Sequence, residues 1–130
     1  DAQAGFSHGM PWLPVPAEHR ARAVAQQESD PHSVLNGFRT FMRWRRAHPA
    51  LRWGDIEFVE TAEPVLAFVR RLDDEALLVM FNLAGVDVDV ELPAGWIGAS
   101  AVEGHGLAPG RLDDGRLHLP GHGAWFARRD

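Results

Sequence analysis

The chain has 130 residues, enough for one compact domain and too few for most two-domain enzymes, and its 45% apolar and 24% charged residues make an ordinary globular balance. It contains no Cys, Tyr or Lys, and this excludes thiol nucleophiles, disulfides, thiolate-held metals, Schiff-base lysines and the phosphate-loop lysine. A net charge of -5, with all 13 basic residues Arg, argues against a nucleic-acid partner, which normally needs a concentrated basic excess.

The first 18 residues, with three Pro and two Gly, cannot sustain a helix or a central strand. They read as an extended loop that must lie against something, because Phe6, Trp12, Leu13 and Val15 are costly to leave in water. A short Ala- and Gln-rich helix is predicted over about 19–28. A longer one follows over about 31–47, with Asp30 as its N-cap, Pro31 at the first helical position and Pro49 just beyond its end. Its residues Val34, Leu35, Phe38, Phe41 and Met42 share one face. Arg45 projects from the middle of that stripe and is assigned a structural ion pair, since an unpaired charge there would be very costly. Arg39, Arg43 and Arg46 lie at or beyond the edge, as a helix surface and not a nucleic-acid stripe.

After Leu51 the apolar period changes from 3.6 to 2. Ile56 and Phe58 alternate with Asp55, Glu57 and Val59 in a half-buried strand. The runs Val65–Leu72 and Glu75–Leu83 are joined by a hairpin at Asp73-Asp74. Val86, Val88, Val90 and Leu92 share one face of the next strand, with Asp87, Asp89 and Glu91 on the other. Weaker strands are expected near Gly98–Val102, Arg116–Leu119 and Ala124–Arg128, with a turn at Asp113-Asp114-Gly115. The fold class is therefore mainly β, an antiparallel β-sandwich over 53–130, preceded by an extended loop and one or two helices. One amphipathic helix and a Pro-rich arm have little of their own to pack on, so residues 1–52 read as the tail of a different domain. The absence of an initial Met and of a basic-then-apolar leader fits a chain processed or cut from something longer.

Candidate chemistry is sparse. None of the four Ser stands in a nucleophile elbow. His118 and His122 are separated by Pro120 and Gly121, which forbid the helix that would align them. Convergence of these two with His105 lacks a carboxylate at ligand spacing, so no metal is expected. The acids mark turns and strand edges, and no pair resembles an active site. Gly104-His-Gly106 and Gly121-His-Gly123 read as turns. Trp125 is assigned to the core, while Trp96, in a turn, is the best candidate for an exposed sugar-stacking ring. The apolar run Ala76–Phe81 is too short to span a bilayer, so no membrane partner is expected, and no cofactor is implied. The lack of Cys is compatible with a cytoplasmic location.

Several blocks fall in a specific order: Gly5-Phe-Ser-x-Gly-x-Pro-Trp-Leu-Pro-Val15, Val24-Ala-Gln-Gln27, Asp30-Pro-x-Ser-Val-Leu35, Arg45-Arg-Ala-His-Pro-Ala-Leu51, Val65–Arg70, Glu75–Leu83 and Gly123-Ala-Trp-Phe126. The series resembles the carboxy-terminal third of alpha-glucosidases of the alpha-amylase superfamily (glycoside hydrolase family 13, oligo-1,6-glucosidase type). The resemblance implies that 1–52 closes a (β/α)8 catalytic barrel, with 31–47 its last helix, and that 53–130 is the terminal β-domain. It implies a parent enzyme that hydrolyses or transglucosylates alpha-glucosides with retention, using an aspartate nucleophile and a glutamate acid/base. Those motifs lie upstream, so the chain alone is expected to be inactive. Its implied partners are its own barrel and, through the parent, alpha-glucoside oligosaccharides. Phe6 and Trp12 would lie on the loop walling the substrate funnel, and the partner of Arg45 would lie in the barrel. The competing reading is an autonomous carbohydrate-binding sandwich, which needs Trp96 and a second aromatic exposed as a planar strip.

Overall fold

A computed structural model describes residues 2–129. The chain forms two compact units, Asp1–Thr40 and Phe41–Asp130.

In the first, a 3-10 turn at Ala2–Gly5 leads into the Pro-rich arm. Two short helices follow, α1 (Ala17–Ala21) and α2 (Val24–Glu28), where one was predicted. Ala23 is extended between them, and the Gln27 side chain donates to the Arg22 carbonyl that the break leaves without a helical partner (2.6 Å). Helix α3 runs from Val34 to Arg46, starting three residues later than Pro31. Asp30 is not its cap: its carboxylate accepts the His32 N–H in a local turn (2.9 Å). Ser33 Oγ instead accepts the Asn36 N–H (3.3 Å) and Gln27 Oε1 accepts the Leu35 N–H (3.0 Å). The Asn36 amide returns to the carbonyls of Gln27 (2.9 Å) and Asp30 (2.8 Å), clipping the turn closed.

The second unit begins within α3. Helix α4 (Pro49–Trp53) has Pro at its first position, and the Glu75 carboxylate accepts the Ala50 N–H there (2.9 Å). Gly54 ends it, and a Cβ at this position would stand 2.5 Å from the Arg71 carbonyl oxygen, so only glycine lets the helix meet the sheet here. Eight strands follow: β1 (Asp55–Val59), β2 (Val65–Leu72), β3 (Glu75–Asn82), β4 (Val88–Glu91), β5 (Ser100–Ala101), β6 (Arg111–Asp113), β7 (Arg116–Leu119) and β8 (Ala124–Arg128). They form a five-stranded sheet, β1-β2-β3-β8-β5, and a three-stranded one, β4-β7-β6, with antiparallel pairing throughout.

Alternation along the central strands sorts side chains into two cores. Val65, Ala67, Val69, Leu78, Met80 and Trp125 join Leu117 and Leu119 between the sheets. Leu77, Val79, Ala124 and Phe126 point the other way, beneath Trp44 of α3 and Ala50 and Leu51 of α4. The larger sheet is thus covered on both faces, which explains the unbroken apolar run of β3. On edge strand β1 the alternation is as predicted but the buried member is not: Val59 packs inward, while Ile56 and Phe58 are 51% and 68% exposed on the helix-side face. Asp55 and Glu57, on the inward side of that edge, discourage pairing with a further strand. Among the described residues no helix is long and apolar enough to cross a membrane.

Candidate functional site

The chemistry-bearing residues scatter into structural roles. His118 on β7 lies on the outer face of the smaller sheet, its Nδ1 2.9 Å from Asp89 and its Nε2 3.7 Å from Asp87. The acids approach opposite ring nitrogens and therefore cannot converge with it on one ion. Asp87 also accepts the Gly121 N–H (2.9 Å). His105 is buried on the far side of the larger sheet, in contact with Trp44 and Phe126. Among the described residues no group of His, Asp or Glu is arranged to hold a metal ion. Glu28, Glu57 and Asp113 pair with Arg39, Arg71 and Arg111 at the surface.

Buried Asn82 is the polar hub between β3 and the loops. Its amide donates to the carbonyls of Val86 (2.7 Å), Pro120 (3.1 Å) and Leu119 (3.3 Å), and its oxygen accepts the Ala84 N–H (3.0 Å). A second cluster, which the sequence reading did not single out, surrounds Trp44. Its indole N–H donates to the Glu103 carbonyl (2.7 Å), and its ring lies 4.6 Å from Phe126 and 4.4 Å from His48. Gly104 and Gly106, both at positive φ, allow the loop to fold tightly over the indole. A signal did exist: Phe41, Trp44 and His48 follow the 3, 7 spacing of a helix face, offset from the stripe centred near Val34 and Phe38.

The predicted site residues stand apart from this cluster. Phe6 and Trp12 are each 92% exposed, and the structure brings both onto one cavity of about 760 Å³ that also meets Val15, His19, Arg22 and Val24. Arg45 is half-buried and makes no ion pair among the described residues. The expectation for Trp96 is corrected: it is 3% exposed, in the 3-10 turn Ala94–Trp96, with the Arg129 guanidinium 4.7 Å over its ring. A planar sugar-stacking strip built on Trp96 therefore does not exist, because the ring packs in the core between the sheets and Arg129, just past β8, lies over it.

An aromatic row crosses the helix-side face of the larger sheet. Ring centroids step from Phe58 to Phe68 (6.1 Å), Phe81 (6.2 Å), Phe126 (5.7 Å) and Trp44 (4.6 Å). Its Trp44 end is covered and its Phe58 end is open.

The sequence family described as the C-terminal domain of maltogenic amylase matches residues 56–125. The chain belongs to this family. It is 44% identical over 124 residues to a probable alpha-glucosidase of Rhizobium meliloti (strain 1021), covering 95% of this chain and 22% of that protein. It is 31% identical over 91 residues to an oligo-1,6-glucosidase of Halalkalibacterium halodurans, covering 69% of this chain and 16% of that one. The crystal structure of the alpha-glucosyl transfer enzyme XgtA superposes with a TM-score of 0.90 at 44% identity, over 98% of this chain and 23% of XgtA. The chain thus spans less than a quarter of the length of these relatives, and within them it is similar to the C-terminal domain of alpha-glucosidase-type enzymes of glycoside hydrolase family 13.

Proposed function

We propose that this chain is the C-terminal portion of a retaining alpha-glucosidase that hydrolyses or transglucosylates alpha-glucosides, and that its own part is structural. The catalytic aspartate and glutamate then lie upstream, and the cytoplasm is the proposed compartment. The observation carrying this reading is the half-covered aromatic row. Elements just N-terminal to the sandwich, α3 and α4, already cover its Trp44 end, so the portion of polypeptide further upstream is the natural cover for Phe58, Ile56 and Leu66. Residues 1–52 complete the barrel, an upstream carboxylate pairs with Arg45, and Phe6 and Trp12 reach toward the substrate funnel.

The test begins with the intact mass of the native polypeptide. A product several times longer than this chain and active on an alpha-glucoside supports the reading, whereas a native product of 14.4 kDa overturns it. In the long product, Phe58→Ser should lower the thermal midpoint and expose dye-binding apolar surface. In the 130-residue chain the same change should be nearly neutral, because Phe58 is already 68% exposed. Trp12→Ala in the long product should lower kcat/KM by about two- to tenfold without changing the thermal midpoint, the size expected for one lost aromatic contact.

A further inference from the structure

The loop over Trp44 is held by a buried imidazole whose bonding leaves no place for a second ring proton. His105 Nδ1 accepts the Leu107 N–H at 3.1 Å, so that nitrogen must be unprotonated for the bond to exist. The ring lies 4.9 Å from Phe126 and 5.6 Å from Trp44, and the residue is 5% exposed. The groups facing it are few. From α3 it meets the Trp44 indole, from β8 the uncharged Phe126, and from its own loop the Glu103 carboxylate, which favours the cation. His48, in the turn between α3 and α4, contacts the same indole at 4.4 Å. Burial outweighs Glu103 and holds the imidazole below its ordinary value of 6.5. The same loop grips α3 through the bond from the Trp44 indole to the Glu103 carbonyl. A cavity of about 290 Å³ lined by the loop, Trp125 and Phe126 gives the ring room to leave its place.

We propose that His105 is an acid-operated latch: proton uptake ends its bond to Leu107, frees the 103–107 loop from Trp44 and loosens the second half of α3 and α4 on the larger sheet. The direction follows from the bonding. A neutral imidazole offers Leu107 an acceptor, whereas the cation would meet that N–H donor to donor between two aromatic rings. The opened loop returns His105 to ordinary titration, so it binds more protons than the closed one below about pH 6.5. Opening then gains up to about tenfold for each pH unit lowered through that window and is constant above it. This latch is independent of the glycosidase reading.

Hydrogen–deuterium exchange, read by mass spectrometry on the polypeptide at its native length, tests it from about pH 5 to about pH 8 after correction for the intrinsic pH dependence of exchange. The segments 103–107 and 44–48 should lose protection together below about pH 6.5, while β2 and β3 hold theirs. His105→Phe keeps a ring and cannot titrate, and His105→Asn keeps an acceptor near the Nδ1 position and cannot titrate. Both should flatten the profile. A flat wild-type profile, loss of protection in 103–107 without 44–48, or a variant that responds to acid like the wild type would each overturn the latch. Should neither variant fold, the wild-type profile decides alone.

Discussion

The two units of the chain hold similar apolar side chains and treat them in opposite ways. In Phe41–Asp130, Leu77, Leu78, Met80, Leu117 and Leu119 are almost wholly removed from water. In Asp1–Thr40, Ser33 is the one buried side chain among the described residues, and Phe6, Met10 and Trp12 are more than nine-tenths exposed. Full burial of one such side chain contributes about 1.5–3 kcal/mol, and the first unit gains almost none of it. Its local order rests instead on the polar clip of Gln27, Ser33 and Asn36. Apolar composition therefore shows that a segment needs a partner surface, and burial shows whether the segment contains it.

Matched substitutions in the 130-residue chain can break or sharpen that contrast. The largest effect belongs to the sandwich interior. Leu78→Ala should cost about 3–5 kcal/mol in a denaturant titration, through lost transfer energy and a residual cavity. If Trp12→Ala in the arm cost as much, the contrast would be wrong. Asn82→Leu should follow at about 2–4 kcal/mol, since it leaves the Val86 and Pro120 carbonyls and the Ala84 N–H without their partner. Gly54→Ala should cost about 1–3 kcal/mol by forcing α4 off β2, read as a lowered unfolding midpoint with an unchanged slope. Ser33→Ala removes a cap at about 1 kcal/mol, and far-ultraviolet circular dichroism should show the loss in helix with little change in strand. Smallest is Trp12→Ala itself, within about 0.5 kcal/mol, as expected for an exposed side chain. Acid sharpens the contrast further. The lowered value of His105 means that its burial destabilises the fold as pH falls below 6.5 and not above, and His105→Phe should remove that dependence from the unfolding midpoint.

Much of the sandwich was legible because antiparallel strands carry their environment in their period. The Val86–Leu92 alternation marked a strand with one solvated face, although β4 itself holds only Val88–Glu91 and Val86 is exposed, and Asp73-Asp74 marked the hairpin between the runs Val65–Leu72 and Glu75–Leu83. Strand β6 was missed because Arg111–Asp113 is three residues long with one apolar member, and its pairing with β7 is what makes it a strand. The helix cap was misassigned to Asp30 because two residues of capping type stood near the start, and the choice fell to Ser33 once Asp30 had closed its own turn. The candidate site was less legible than the fold. Phe6 and Trp12 share a cavity, whereas His105 was weighed only as a metal ligand and Trp44 was not singled out, since the contacts that join Trp44 to Glu103, His105 and Phe126 span 59 or more residues.

By itself, the sequence determined the period-2 strands, their turns, the missing nucleophiles and the ordered blocks that resemble family 13 alpha-glucosidases, because each depends on residues close together in the chain. Tertiary structure alone decided which face of α3 is buried, that Trp96 is covered by Arg129, and that the aromatic row is closed at Trp44 and open at Phe58. Burial depends on what stands opposite a side chain, and in this protein what stands opposite comes from distant sequence.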